Sequence, residues 1–245
     1  MTRVLFDGDP EAAVEAGSRV ALDERRSHHL ARVLRLRAGT ELEAFDGAGR
    51  CFTATLAEAD PKRSVLLLGE PLRAQPESPL AITLAQCLSS AERMDWTIEK
   101  AVELGARSLA PLASDRSQVR LDAARAARRH EHWLRIVESA CVQSGRAWLP
   151  ALAPLTPFTD FVTGAPAGRR LILAPGAATP LSAAGIAPGD AVILLAGPES
   201  GFSETELAHA ITSGFQPVSL GPRTLRTETA GLAAIAALQA LAGDA

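Results

Sequence analysis

Residues 191–206 read AVILLAGPESGFSETE, and the change of character inside this stretch decides the class of fold. Ala191–Ala196 is an unbroken apolar run of strand length, the pattern of a strand covered on both faces in a parallel sheet. A turn with Gly197 and Gly201 follows, where the missing side chains let the backbone approach something closely. Ser203-x-x-Glu206 then forms a capping box, in which each side chain satisfies a free backbone N–H at a helix start. Working outward, the same alternation recurs. Residues 80–88 form an apolar strand, and Ser89-x-x-Glu92 reads as a second capping box. Met94, Ile98, Ala101 and Val102 recur at helical spacing until Gly105 ends the helix. Residues 108–112, 171–174 and 217–220 are further strands. Residues 122–144 form a long helix with arginines on one side and Trp133, Val137, Ala140 and Cys141 on the other. The helix after Ser203 turns Leu207, Ala210 and Ile211 inward and stops at Gly214, and residues 227–241 form a last, Ala- and Leu-rich helix. Strand alternating with helix predicts an α/β domain with a parallel sheet.

The N-terminal third reads differently. Residues 19–22, 40–45, 50–57 and 64–68 are short strand candidates, Asp46-Gly47-Ala48-Gly49 suits a hairpin connection, and one helix interrupts them around residues 23–35. Short strands with tight turns predict a small barrel or sandwich. Residues 71–79, PLRAQPESP, hold three prolines and no apolar period, and mark the linker. The expected division is residues 1–74 and residues 79–245.

The 245-residue chain is 47% hydrophobic and 22% charged, the composition of a globular protein with a sizeable core. Its formal net charge of −3 confines any nucleic-acid contact to a local patch. The first residues lack a signal-peptide pattern, and no run approaches membrane-spanning length. Cys51, Cys87 and Cys141 stand far apart among apolar residues, with no Cys/His ligand spacing. The expectation is three buried thiols, no metal, no membrane and a cytoplasmic location.

Four segments carry polar groups beyond what packing asks. The 196–203 turn lies at the C-terminal end of its strand, where open α/β sheets bind ligands, and a helix N-terminus faces it. Read blandly, it is a tight βα turn. The segment Leu220-Gly221-Pro222-Arg223-Thr224-Leu225-Arg226-Thr227-Glu228-Thr229-Ala230 crowds two arginines, a carboxylate and three hydroxyls ahead of an apolar helix. Its arginines suit phosphate or developing negative charge; the alternative is Arg–Glu pairing with Thr227 as N-cap. Residues 25–37 hold five arginines and two histidines with no acid, and Leu30, Val33 and Leu34 form an inward face. Such a patch suits phosphate contacts, or is simply a solvated amphipathic helix. Gln143-Ser144-Gly145-Arg146 closes the long helix, and a C-cap explains only its glycine.

Taken in order, these segments resemble the ribosomal RNA small subunit methyltransferase E family. His28-His29-Leu30-x-x-Val33-Leu34-Arg35 and Phe45-Asp46-Gly47-x-Gly49 are similar to its N-terminal PUA-like domain. Asp95-Trp96-x-x-Glu99-Lys100-Ala101-x-Glu103-Leu104-Gly105 is similar to the opening helix of its catalytic domain. Gln143–Arg146, Gly197-Pro198-Glu199-x-Gly201-Phe202-Ser203 and residues 220–230 resemble its remaining signatures. The resemblance implies a PUA-like β-barrel domain followed by a SPOUT α/β domain whose C-terminal part forms a trefoil knot. It also implies a homodimer and transfer of the S-adenosyl-L-methionine (AdoMet) methyl group to N3 of one uridine in 16S rRNA of the small ribosomal subunit. On the matching positions, AdoMet would lie against Leu195, Ala196, Gly197, Pro198, Gly201, Leu220, Gly221 and Leu225, with Leu220 and Leu225 walling the adenine. Arg226, Glu228 and Glu199 would be the catalytic groups, Arg226 holding negative charge and one of the acids taking the proton. Arg25, Arg26, His29, Arg32, Arg35, Arg146 and Arg223 would meet RNA. The sequence departs from the family at Ser200, where a second glycine is usual, and at Ser90-Ala91, where a lysine often stands. The rival readings are another SPOUT enzyme acting on tRNA ribose or guanine, a non-catalytic RNA-binding assembly factor, and a dinucleotide-dependent oxidoreductase. No GxGxxG follows the first α/β strand, which weighs against the last.

Overall fold

A computed structural model describes residues 1–8 and 14–245, which divide into two units. The first comprises Met1–Glu77 and Cys141–Leu149, the second Ser78–Ala140 and Pro150–Ala245. Among the described residues, no helix is long and apolar enough to cross a membrane.

In the first unit, β1 (Arg3–Leu5), β2 (Arg19–Ala21), β3 (Glu41–Phe45), β4 (Cys51–Glu58) and β5 (Val65–Leu72) form one sheet in the order β1-β3-β4-β5-β2. β1 runs parallel to β3 and the other pairs are antiparallel. The β4–β5 register shifts between Phe52 and Ala54 and again between Leu56 and Glu58, and such irregularities bend a strand and raise its twist. The sheet curls over Val4, Phe6, Leu22, Leu30, Leu42, Leu56, Leu66 and Leu68. No ladder joins β1 to β2 among the described residues, so the expected barrel is a curled sheet whose edges stay apart.

The hairpin at residues 46–49 forms as expected. The Asp46 carboxylate accepts from the backbone N–H of Ala48 (2.9 Å) and Arg50 (3.0 Å). Gly49 has φ of +99°, and a Cβ there would meet the Trp148 ring at 2.3 Å. Leu149 N–H donates to Gly47 O and Gly49 N–H to Ala147 O, which ties 141–149 to this unit. The helix expected over 23–35 is shorter and of two kinds. α1 (Glu24–His28) is capped by the Asp23 side chain, which accepts from Arg26 N–H at 2.7 Å. His29–Val33 then forms a π-turn, with Leu34 N–H reaching His29 O. The wider turn shifts the helical phase, so only Leu30 points inward; Val33 (59% exposed) and Leu34 (42%) face solvent, against expectation. β5 also runs to Leu72, two residues into the stretch taken as linker.

The second unit holds β6 (Ala81–Cys87), α2 (Ala91–Glu103), β7 (Ser108–Ala113), α3 (Ala123–Ser144, with its end in the first unit), β8 (Ala151–Leu152), β9 (Thr156–Pro157), α4 (Phe158–Thr163), β10 (Arg169–Leu173), β11 (Ala191–Ala196), α5 (Glu204–Thr212), β12 (Gln216–Val218) and α6 (Thr227–Ala242). Its sheet is parallel throughout, in the order β12-β10-β11-β6-β7-β8, with β9 also on β7. Met94, Ile98, Ala101 and Val102 are buried on α2, and Trp133, Val137, Ala140 and Cys141 on α3, as their periodicity requires. All three cysteines are free and buried. The short β8, β9 and α4 carry too little periodicity to be read in advance, and Ile211, expected inward, is 46% exposed.

The two expected capping boxes differ in outcome. At α5, Ser203 N–H donates to Glu206 Oε2 (2.8 Å) and Glu206 N–H to Ser203 Oγ (3.1 Å). At α2 no box forms. The N-cap is Ser90, its side chain makes no cap bond, and the Ser89 hydroxyl is buried without a partner. Ser90 N–H instead donates to Glu199 Oε1 at 3.3 Å, so a carboxylate from a distant loop takes the place of the local cap.

Candidate active site

β12, β10 and β11 are neighbours whose C-terminal ends lie level: Ile172 pairs with Leu195, and Leu173 with Val218. The loops leaving these three strands therefore open at one edge of the sheet, where open α/β folds bind ligands. They enclose a cavity of about 620 Å³. Leu173, Phe202, Leu207, Val218, Leu220 and Leu225 supply an apolar wall, while Arg93, Glu199, Arg223 and Arg226 supply charge.

Backbone geometry explains the two glycines of the first loop. Gly201 has φ of +68°, and a Cβ on Gly197 would lie 3.2 Å from the Phe202 ring. Phe202 is itself held against Phe158, with ring centroids 5.4 Å apart. Ser200 needs no such freedom, because the only described non-glycine residue with positive φ is Arg35. The second loop is stapled to the first at its end. Thr227 Oγ1 donates to Gly197 O (2.6 Å) and accepts from Gln86 Nε2 (3.1 Å), and Gln86 Nε2 also reaches Gly197 O (3.2 Å). Thr227 is thus the first helical residue rather than the N-cap, which is Arg226.

Of the expected cofactor residues, Gly197, Pro198, Gly201, Leu220, Gly221 and Leu225 line the cavity. Leu195 and Ala196 do not; both are wholly buried in β11 beneath it. Arg226, Arg223 and Glu199 line the cavity, and Glu228 sits beside it in the first turn of α6. Glu228 is linked to the cavity by a residue that sequence reading missed. The Arg93 guanidinium lies 3.0 Å from Glu199 Oε1 through Nη1 and 3.6 Å from Glu228 Oε2 through Nε, one cation between the two candidate acids. Arg93 occupies the first turn of α2, which follows β6, and β6 is hydrogen-bonded to β11. Only that strand adjacency brings it to the 197–203 loop. The Arg223 and Arg226 guanidinium groups have no hydrogen-bond or ion-pair partner among the described residues, and Glu228 lies by Arg93, so the expected alternative of local Arg–Glu pairing is not what forms. The cavity is thus lined by these two arginines, by Arg93 and by one carboxylate, with a second carboxylate beside it.

The expected RNA contacts are divided. Arg25, His29, Arg32 and Arg35 are exposed on the first unit, save that Arg32 and its neighbours follow the π-turn rather than a regular helix. Arg26 is engaged instead, pairing with Asp7 (2.8 Å) and Asp23 (3.1 Å). Arg146 is 9% exposed and pairs with Glu77, Nε to Oε1 at 3.0 Å and Nη2 to Oε2. That buried pair answers why an arginine follows the helix-ending glycine. Among the described residues, no group of three His, Cys, Asp or Glu side chains is placed to hold a metal.

A family model for the RNA methyltransferase domain matches residues 76–239, and one for the RNA methyltransferase PUA domain matches residues 22–68. The protein of Synechocystis sp. named Ribosomal RNA small subunit methyltransferase E is 35% identical over 237 residues, spanning 95% of this chain and 76% of the relative. That of Buchnera aphidicola subsp. Schizaphis graminum is 32% identical, spanning 92% of each chain. Among solved structures, the Ribosomal RNA small subunit methyltransferase E of Neisseria gonorrhoeae, bound to S-adenosyl methionine, superposes with a TM-score of 0.89 at 38% identity, covering 100% of this chain and 99% of that one. A Legionella pneumophila protein with bound SAM gives 0.91 at 36% identity over the same shares.

Proposed function

Because this chain belongs to the ribosomal RNA small subunit methyltransferase E family, we propose that it transfers the methyl group of AdoMet to N3 of one uridine in 16S rRNA of the small ribosomal subunit. The observation that carries this reading is the convergence, at one cavity, of two glycine turns, two unpaired arginines and an Arg93-bridged pair of carboxylates. The cavity suits AdoMet in size and character, since ligand pockets run to about 300–1,000 Å³ with apolar walls and a few fixed polar groups. Leu220 and Leu225 would flank the adenine, and the backbone of Gly197, Pro198, Gly201 and Gly221 would lie along the rest of the molecule. Bound there, AdoMet supplies a methyl group already activated on a sulfonium.

The protein's own task is to prepare N3. Uracil N3 carries a proton, and its removal leaves negative charge shared with O2 and O4. Glu228 or Glu199 accepts that proton, leaving on N3 the lone pair that would take the methyl carbon as its bond to the sulfonium sulfur breaks, the bonding pair passing to sulfur. Arg226 holds the developing charge on a uracil oxygen, and Arg223 a neighbouring phosphate. Arg93 hydrogen-bonds Glu199 and stands 3.6 Å from Glu228 Oε2, so its charge holds Glu199 in place beforehand and draws Glu228 toward the same point. Ser200, the one feature that favoured a non-catalytic assembly factor, sits in ordinary backbone geometry and lends that reading no weight.

The proposal extends to organisation. Residues 1–74 act as the PUA-like RNA-binding part, with Arg25, His29, Arg32 and Arg35 toward RNA, and residues 79–245 as the SPOUT methyltransferase part. The C-terminal segment is threaded as a trefoil knot, and the enzyme works in the cytoplasm as a homodimer. The connection between β10 and β11 runs alongside the chain after β12 in a parallel bridge, so the two segments that such threading would bring together are in contact: Leu181 N–H donates to Ser219 O and Ser219 N–H to Thr179 O, each at 2.9 Å. The test is methyl transfer from labelled AdoMet to small subunits lacking native modification, with nucleoside analysis. Formation of 3-methyluridine is expected, and Arg226→Ala should abolish it while AdoMet binding changes little. Full turnover by that variant would remove Arg226 from the role, and a different methylated nucleoside would remove the uridine assignment.

A further inference from the structure

Residues 114–135 carry six arginines against three acids, in a chain whose net charge is −3. The local excess is therefore concentrated, and the fold arranges it. The loop between β7 and α3 begins beside the cavity, where Arg116 Nη1 reaches Ser200 O (3.4 Å) and Asp115 N–H donates to Glu206 Oε1 (2.9 Å). Arg120 folds back on the same loop, bonding Ser114 O (3.1 Å) and Asp115 O (2.6 Å). The first turns of α3 continue outward, where Leu121, Arg125, Arg128, Arg129 and His132 line a second, open groove of about 400 Å³. Residues 125, 128, 129 and 132 fall at i, i+3, i+4 and i+7, one face of a helix.

The groove is ordered from behind by α2. Asp95 Oδ2 bonds His132 Nε2 at 2.9 Å and Asp95 Oδ1 bonds Trp133 Nε1 at 3.0 Å, with Arg129 Nη1 3.9 Å away. Asp95 stands two residues beyond Arg93, so one helix places both the acid clamp of the cavity and the anchor of this groove. Arg125 pairs at the rim with Asp122 (2.8 Å) while remaining 63% exposed in its side chain, and the exposed Arg128 guanidinium makes no hydrogen bond or close ion pair among the described residues. Exposed arginines in a groove without bases to read recognise a repeating anion by charge and position, which is what a phosphodiester backbone presents.

We propose that this groove is a second RNA contact site, engaging the phosphate backbone that flanks the target base along a basic track from Arg116 through Arg120 to Arg125 and Arg128. The inference rests on the RNA-modifying reading above and goes beyond it in assigning α3. The test uses the full chain carrying Arg125→Gln and Arg128→Gln together, both exposed positions. Its affinity for deproteinised small-subunit rRNA and for intact unmodified subunits is measured against KCl concentration, alongside AdoMet affinity and methyl-transfer kinetics. The expected result is a log–log salt slope shallower by about 2, one for each phosphate that the variant no longer neutralises, and a KM for the subunit raised on the order of tenfold, with kcat and AdoMet affinity unchanged. An unchanged slope and KM overturn the proposal. So does a loss seen with intact subunits and not with naked rRNA, which would make the partner a ribosomal protein. Failure of the unmutated protein to transfer methyl would sink the proposed reaction and leave the slope comparison to decide the groove on its own.

Discussion

Thr227→Val removes a single hydroxyl from the joint between the two cavity loops and leaves a side chain of nearly the same shape. Thr227 is 7% exposed, so no water takes over freely. Its hydroxyl donates to Gly197 O at 2.6 Å and accepts from Gln86 Nε2 at 3.1 Å. Gly197 O keeps a second donor in Gln86 Nε2 at 3.2 Å, and that amide keeps its carbonyl partners, so neither group is orphaned. The loss therefore falls at the lower end of the range for a buried hydrogen bond, about 1–2 kcal/mol. For a chain of this size that lowers Tm by about 2–8 °C. On the proposed reading, Gly197 lies against AdoMet. If about 1 kcal/mol of the loss recurs in binding, through a loop that must be reordered, affinity falls about fivefold. Thr227→Ser keeps the hydroxyl and should stay within about twofold of the parent. The assays are thermal unfolding and isothermal titration with AdoMet. A Val variant matching the parent in both would refute the argument that this hydroxyl sets the loop, and equal damage from Val and Ser would transfer the effect to packing of the methyl group.

Buried polar groups set two further outcomes. Glu206 is 3% exposed and accepts from Ser203 N–H (2.8 Å) and Asp115 N–H (2.9 Å), so Glu206→Ala should cost on the order of 2–4 kcal/mol, read from urea unfolding, with Glu206→Gln milder. Burial raises the Cys87 thiol well above its ordinary value of 9.0, and burial followed by the nearby Glu43 charge raises Cys51. A raised folded-state value keeps these thiols protonated and native stability undiminished below about pH 9. As pH climbs past that point the unfolded chain loses its protons first and stability falls. Thiol reagent at about pH 8 should label Cys87 at the global unfolding rate, and rapid labelling of the native chain would contradict its burial.

The site comes down to particular residues. Gly197, Gly201, Leu220 and Leu225 are where a reader of loops would place a cofactor, and they line the cavity. Arg93 is where no such reader would look. It sits on a different helix, 106 residues from Glu199, and it gives the two acids a shared partner. Arg26 and Arg146, both expected to meet RNA, are each paired with an acid from elsewhere in the chain, Asp7 and Glu77, which no reading of their own segments reveals.

The sequence by itself determined what depends on neighbours along the chain. An apolar run of strand length, a helix with Met94, Ile98 and Val102 on one face, an Asp-Gly hairpin and the Ser203–Glu206 cap are each settled within a few residues, because helix, strand and turn hydrogen bonds are short-ranged and side-chain periodicity follows from them. Tertiary structure decided the rest. Whether Ser89 or Ser90 caps α2 depends on Glu199 arriving from the 197–203 loop, and which arginines remain free depends on where Asp7, Glu77, Asp95 and Glu228 are carried. The cavity itself exists because β12, β10 and β11 lie side by side in an order that is not their order along the chain. That order is fixed by the packing of the whole sheet, a long-range balance to which no local pattern has access.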